Sequence, residues 1–245
     1  MTAAIELEGV TRAFGAVKAV DSLSLRVGRG TIFGFLGVNG AGKTTTIKMI
    51  LGLDRPTSGR IAVMGGDPAD PATRRHIGYM PEIANYYPYL NAFELMDFYG
   101  GLCGLDRRTV RARAAELLER VGLAHAAKRP LRTYSKGMLQ RAGIAQALLS
   151  DPELLVLDEP FTGLDPLARV GFREMLRELR GRGRTIFFSS HELGETELLC
   201  DGIAIMKAGR CVRQGAVKDL AGDGEGNLER LFLRVLAGEG EEARG

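Results

Sequence analysis

The stretch Ile32-Phe33-Gly34-Phe35-Leu36-Gly37-Val38-Asn39-Gly40-Ala41-Gly42-Lys43-Thr44 decides the fold of this 245-residue chain. Its first five residues are a dense apolar run, the pattern of a strand covered on both faces, as in a parallel sheet. The next eight match GxxxxGK[ST], and beyond them Ile47, Ile50 and Leu51 repeat at helical spacing. That motif carries its mechanism only between a strand and a helix, and here it has both. The glycines let successive backbone N–H groups turn inward around phosphate oxygens, and the helix start adds the positive end of its dipole. In such a loop Lys43 reaches the outer phosphates and the Thr44 hydroxyl ligates Mg²⁺. Gly37, Val38, Asn39, Gly40, Ala41, Gly42, Lys43, Thr44 and Thr45 are therefore the expected phosphate-binding residues. A glycine-rich turn without a ligand is the competing reading, and the flanking context weighs against it.

Upstream, Ile5, Leu7, Val17, Val20, Leu23, Leu25 and Val27 alternate with polar residues, which predicts antiparallel strands. Arg60–Met64 reads as a further strand, and residues 85–150 turn helical, with segments around Phe93–Phe98, Ala114–Val121 and Ser135–Leu149. Strands return at Leu154–Leu157 and Thr185–Phe188, with a helix from about Leu167 to Arg180 between them. A hairpin, Ile203–Met206 and Arg210–Gln214, turns at Ala208-Gly209, and a Gly/Glu-rich tail from Lys218 contains an apolar helical patch at Leu228–Leu236. Strands alternating with helices imply an α/β fold with a mostly parallel sheet covered on both faces.

Lys and Arg number 33 against 30 Asp and Glu, a net charge of +3 that gives no reason to expect nucleic acid as a partner. Arg107, Arg108, Arg111 and Arg113, like Arg180, Arg182 and Arg184, read as solvated faces. No run approaches the roughly 18 apolar residues that span a bilayer. The opening MTAAIELEGV lacks the basic-then-apolar pattern of a secretory signal. Cys103, Cys200 and Cys211 are odd in number and far apart, which argues against a disulfide framework or zinc site and fits a reducing cytoplasm.

Leu154-Leu155-Val156-Leu157-Asp158-Glu159 is an apolar strand ending in two acids. A carboxylate at the C-terminal end of a parallel strand faces the crevice where ligands bind. Asp158 is placed to hold Mg²⁺, directly or through water, and Glu159 is the candidate general base for an attacking water. The strand Thr185–Phe188 ends in Ser189-Ser190-His191, which puts His191 on the same edge as a γ-phosphate contact, while His76 and His125 read as surface residues.

The segment Tyr134-Ser135-Lys136-Gly137-Met138, followed by Leu139-Gln140-Arg141, stands 20 positions before Asp158 when counted from Met138. With the phosphate loop and the acidic strand it resembles the ATP-binding subunit of an ABC transporter, in an exporter-type variant similar to drug and antibiotic exporters. The resemblance covers residues from about 4 to 217. It implies a P-loop NTPase (RecA-like) core with an antiparallel β subdomain and an inserted α-helical subdomain. One ATP-binding domain would span 1–217, with β subdomain and core in 1–84 and 151–217, the helical subdomain in 85–150, and a tail at 218–245. Phe14 falls where the family has an adenine-stacking aromatic, although periodicity alone would equally make it a packed strand residue. Tyr79-Met80-Pro81-Glu82 aligns with the Q-loop and Gly163-Leu164-Asp165 with the D-loop, and His191 matches the switch histidine.

Ser135 is a good N-cap for the helix after it, and a helix start with small residues and free N–H groups is also an anion site. The resemblance implies that Ser135 and Gly137 cap the ATP of a second subunit paired head to tail. Two motifs depart from the family pattern, the signature and the Q-loop. Lys136 stands where a glycine is usual and Met138 where a glutamine is usual. At the Q-loop Glu82 replaces glutamine; a carboxylate still ligates Mg²⁺ but cannot donate as an amide does. Tyr86-Tyr87-Pro88-Tyr89-Leu90 with Phe93 would either pack the helical insert or receive the membrane subunit, and a mixture of the two is expected.

The resemblance implies an Mg·ATP-dependent ATPase, a homodimer or heterodimer on the cytoplasmic face of a membrane, driving a separate integral membrane permease, with export as the direction. One rival is a soluble ABC protein acting on nucleic acid, yet only 92 residues separate Lys43 from Ser135, too few for a long coiled-coil arm. Another is a nucleotide-gated regulatory partner. A P-loop GTPase is excluded by the missing NKxD pattern.

Overall fold

A computed structural model describes residues 3–83, 85–222 and 228–237. Two sheets organise the chain. The first is antiparallel, with β1 (Ala3–Phe14) between β2 (Val17–Gly28) and β4 (Ser58–Val63). The second has the order β5-β6-β7-β3-β8-β9, built from β3 (Ile32–Gly37), β5 (Ile77–Met80), β6 (Leu154–Asp158), β7 (Thr185–Ser190), β8 (Gly202–Lys207) and β9 (Arg210–Ala216). Its first five strands run parallel, and only β9 is antiparallel, closing the expected hairpin.

The helices follow in chain order: α1 (Lys43–Ile50), α2 (Pro71–Arg74), α3 (Ala92–Leu102), α4 (Arg107–Arg120), α5 (Lys136–Leu148), α6 (Pro166–Gly181), α7 (Leu193–Leu199), α8 (Val217–Gly222) and α9 (Leu228–Ala237). Side chains of β3, β6 and β7 are buried along their whole length, and they alternate between two cores as strand geometry requires. Leu155, Leu157, Ile186 and Phe188 face a core shared with α3, α4, α5 and α6. Phe33, Phe35, Leu154, Val156 and Phe187 face another, shared with α1 and the antiparallel sheet. The helical insert therefore packs directly on the parallel sheet.

Two features, the strand β5 and the contacts of Arg113, differ from the sequence reading, whereas the tail helix falls where the sequence put it. β5 is four residues long, too short for periodicity to register. The tail patch forms α9, whose Leu228, Leu231 and Phe232 cover Leu36, Ile203 and Ile205; residues 223–227 and 238–245 of the tail lie outside the described residues. Arg113 is not a freely solvated residue, since it donates to the Leu148 carbonyl at 3.1 Å and its buried Nε has no hydrogen-bond partner. Arg180 and Arg184 are ion-paired with Asp201 and Asp151, and Arg182 with Glu178.

Candidate functional site

The C-terminal ends of β3, β6 and β7 lie side by side, since Leu36 pairs with Ser190 and Asp158 with Ser189. The loop after β3 is held from behind. A Cβ at Gly37 would fall 2.8 Å from the Met206 carbonyl oxygen, and one at Gly42, where φ is +99°, would fall 2.4 Å from that of Ala19. The hairpin tip between β8 and β9 contributes, with the Gly209 N–H donating to the Ala41 carbonyl at 3.2 Å. Only glycine fits such approaches, so the loop's tight curvature is fixed by its sequence.

At the start of α1 the helix has no side-chain cap, whereas α2, α3, α4, α5 and α6 are capped by Asp70, Asn91, Asp106, Ser135 and Asp165. Uncapped N–H groups at a glycine-lined bend suit an anion. Lys43 is buried there and donates to the Gly37 carbonyl at 2.6 Å; its ammonium lies 3.3 Å from Glu159 Oε1. Val38, Asn39 and Gly40 form the exposed rim, Ala41 is buried, and Thr45 is half-buried.

Asp158 is buried and accepts from two hydroxyls, Ser189 at 2.5 Å and Thr44 at 3.1 Å. Burial pushes its carboxyl above the usual carboxylate range; the Ser189 and Thr44 hydrogen bonds pull it back, and Lys43 does so more weakly. The hydroxyl of Thr44 and the carboxylate of Asp158 are hard oxygen donors of the type Mg²⁺ takes, in a number that leaves the rest of its shell to phosphates and water. Among the described residues no cluster of three or more His, Cys, Asp or Glu could hold a metal ion alone.

Glu159 takes a φ of +51°, and its carboxylate pairs with Lys43 while that of Asp158 accepts from Thr44 and Ser189. Glu159 Oε2 lies 2.8 Å from His191 Nδ1, and its own N–H donates to Ser189 Oγ at 2.9 Å. The His191 loop is fixed by Arg169 of α6, which pairs with both carboxylate oxygens of Glu192, while Arg173 reaches Glu195 at 2.7 Å. Lys43, Thr44, Asp158, Glu159 and His191 are thus brought together.

The remaining candidates stand apart from this cluster. Phe14 is 52% exposed, so the packed-strand reading fails; Arg12 lies 4.4 Å over its ring and is itself paired with Asp54. Glu82 is exposed in the turn after β5, and among the described residues no hydrogen bond or ion pair ties it to Thr44 or Asp158. Asp165 spends its carboxylate as the N-cap of α6, accepting from the Ala168 N–H at 2.9 Å. Ser135 is exposed and caps α5, accepting from the Met138 N–H at 3.3 Å, with Gly137 half-buried beside it. Of the aromatic run, Tyr86, Leu90 and Phe93 pack on the helical core, whereas Tyr87 and Tyr89 are exposed. Sequence reading missed Ser189 and Gln140, whose roles depend on strand register and on helix packing.

The sequence matches the ABC transporter family over residues 20–162. It is 44% identical over 231 residues to an uncharacterized ABC transporter ATP-binding protein of Synechocystis, covering 94% of this chain and 64% of that protein. The chain thus spans slightly less than two thirds of that relative's length. It is 40% identical to the daunorubicin resistance ATP-binding protein of Streptomyces coeruleorubidus, covering 94% of this chain and 74% of the relative. A solved ATP-binding subunit of an ABC transporter superposes with a TM-score of 0.88 at 32% identity, covering 96% of this chain and all of the other. With the phosphate loop, the acidic strand end and the Ser135 helix start in the expected order, the chain belongs to the ABC transporter family of ATP-binding proteins.

Proposed function

We propose that this chain binds and hydrolyses ATP and thereby energises a separate integral membrane permease, in the direction of export. The observation that carries the reading is the convergence of Lys43, Glu159 and His191 beside the Thr44–Asp158 pair. The similarity to a drug-resistance ATP-binding protein supports export. Phe14 offers an exposed ring to the base, and the loop from Gly37 to Thr45 offers its N–H groups to the phosphates.

In the reaction, water attacks the γ-phosphorus in line with the bridging oxygen. Glu159 accepts the water proton, and the electron pair of the broken P–O bond leaves with ADP. His191 holds the Glu159 carboxylate in place through Nδ1. Lys43 turns its charge from the Gly37 and Val38 carbonyls toward the phosphates. Mg²⁺, held by Thr44 and Asp158 and joined by Glu82 if the turn after β5 closes, would neutralise phosphate charge.

Ser135 and Gly137 serve the ATP of a partner subunit, since they lie at an exposed helix start on the helical insert. The assembly is therefore a dimer, of like or sister chains, with the domain division expected from sequence. The exposed Ile83, Tyr87, Tyr89 and Phe98 are the proposed surface for the permease, and the proposed location of the chain is the cytoplasmic face of the membrane. Light scattering of Glu159→Gln with Mg·ATP tests the shared site: a shift from monomer to dimer is expected, and a persistent monomer contradicts it.

A further inference from the structure

Gln140 sits in the first turns of α5 and is only 5% exposed. Its amide donates to the backbone carbonyls of Glu159 and Pro160, each at 3.2 Å. Both carbonyls belong to the turn after β6, where Glu159 has a φ of +51°. A non-glycine residue in that region persists only where its surroundings over-determine it. From the β7 side, Ser189 Oγ accepts the Glu159 N–H. From the α5 side, Gln140 is joined by a close backbone approach: a Cβ at Gly137 would fall 2.8 Å from the Gly163 carbonyl oxygen. The stem of Lys136 covers Gly163, with Cγ and Cδ each 3.2 Å from where a Cβ would stand. The 159–165 loop is thus fastened to the same helical turn that starts at the exposed Ser135.

We propose that Gln140 is a positioning residue for Glu159, making the first turns of α5 and the 159–165 loop one body, so that a load on the exposed end of α5 reaches the general base. The inference rests on the reading of Glu159 as general base and of Ser135 as the contact to a partner's nucleotide. A side-chain amide suits the task because it supplies two N–H donors to two buried carbonyls. Leucine fills a similar volume and donates nothing, leaving both carbonyls without their partner. Glutamate is isosteric but donates only when protonated.

The test compares wild type, Gln140→Leu, Gln140→Glu and Glu159→Gln for ATP turnover, affinity for a fluorescent ATP analogue and backbone amide exchange. Displacing a catalytic group by about 1 Å costs about 100-fold, so kcat is expected to fall about 10- to 100-fold in both Gln140 variants. Affinity should stay within about twofold, because the phosphate loop is untouched. The amides of Thr162 and Leu164, which close the turn through the Glu159 and Phe161 carbonyls, should exchange faster while those of α1 do not change. The ratio of Gln140→Glu to wild-type kcat should rise as pH is lowered, and that of Gln140→Leu should not. Unchanged kcat overturns the proposal, and so does a loss of affinity equal to the loss of kcat. The isosteric Gln140→Glu keeps the test decisive if the leucine variant fails to fold. If wild type turns over no faster than Glu159→Gln, the ATPase reading fails instead; exchange then decides the anchoring, faster at 162 and 164 sustaining it and unchanged removing it.

Discussion

The ammonium of Lys43 lies 3.3 Å from the carboxylate of Glu159, and each side chain is only 7% exposed. The proposed phosphate-binding cation and the proposed general base thus neutralise each other. Taking two charges out of water is costly unless each has a partner, which explains why they sit together. A triphosphate must compete with Glu159 for Lys43. The competition suits the chemistry, because Lys43 turning to phosphate frees the carboxylate to face water.

Removing the competing charge should tighten binding. Glu159→Gln is expected to bind an ATP analogue several-fold more tightly than wild type, about 1 kcal/mol of relief being worth about fivefold. Equal affinities measured by fluorescence titration would show that the pair does not oppose the nucleotide.

Lys43→Ala removes the one buried ammonium at the loop. Hydrogen bonds to charged groups contribute about 1.5–3 kcal/mol, so affinity should fall by at least about 10- to 100-fold. Unchanged affinity in the same titration would contradict the phosphate-loop assignment.

Phe14→Ala should weaken nucleotide binding by about 1–3 kcal/mol, and by the same amount for ATP and GTP, because a stacking ring reads no base edge. Its ring is 52% exposed, so little stability should be lost with it. A loss confined to ATP would mean that a base-edge contact, not stacking, holds the nucleotide.

The elements of this site were legible to different depths. Residues 37–44 could be read because the motif is contiguous, although the carbonyls that exclude a side chain at Gly37 and Gly42 belong to the distant Met206 and Ala19. Asp158, Glu159 and His191 were legible because they end apolar strands, and strand ends on one sheet edge share a crevice. The hairpin at Ala208-Gly209 followed from turn chemistry, and both residues take positive φ, 48° and 81°. Ser189 could not be assigned a role without knowing that it lies in register with Asp158. Gln140 is one polar residue in a helix, and only the packing of α5 against the turn after β6 shows what it holds. Asp165 shows the opposite failing, a motif residue whose carboxylate is occupied by a helix cap that local sequence also allows.

Burial raises the Asp158 carboxyl above its ordinary range. A carboxyl raised by folding favours the folded chain while protonated, and that advantage is lost as pH rises through its folded value. Asp158→Asn should therefore be the more stable chain at neutral pH in EDTA, with Tm higher by about 2–4 °C for each kcal/mol relieved. The gap should close below about pH 4, where the wild-type carboxyl is protonated in both states. With Mg·ATP the order should reverse, since only wild type retains the full metal site and its ligand-linked stabilisation. Scanning calorimetry at neutral and acid pH checks both signs; a variant less stable in EDTA at neutral pH would mean that the Ser189 and Thr44 hydrogen bonds outweigh burial.

The proposed hydrolysis depends on Glu159 as the proton acceptor beside a phosphate held by Lys43. Steady-state phosphate release from Mg·ATP, measured side by side for wild type and Glu159→Gln, tests it most directly. General-base removal costs about 100- to 10,000-fold, so the variant should retain under about 1% of the wild-type rate while still binding nucleotide. Equal rates in the two chains would contradict the account.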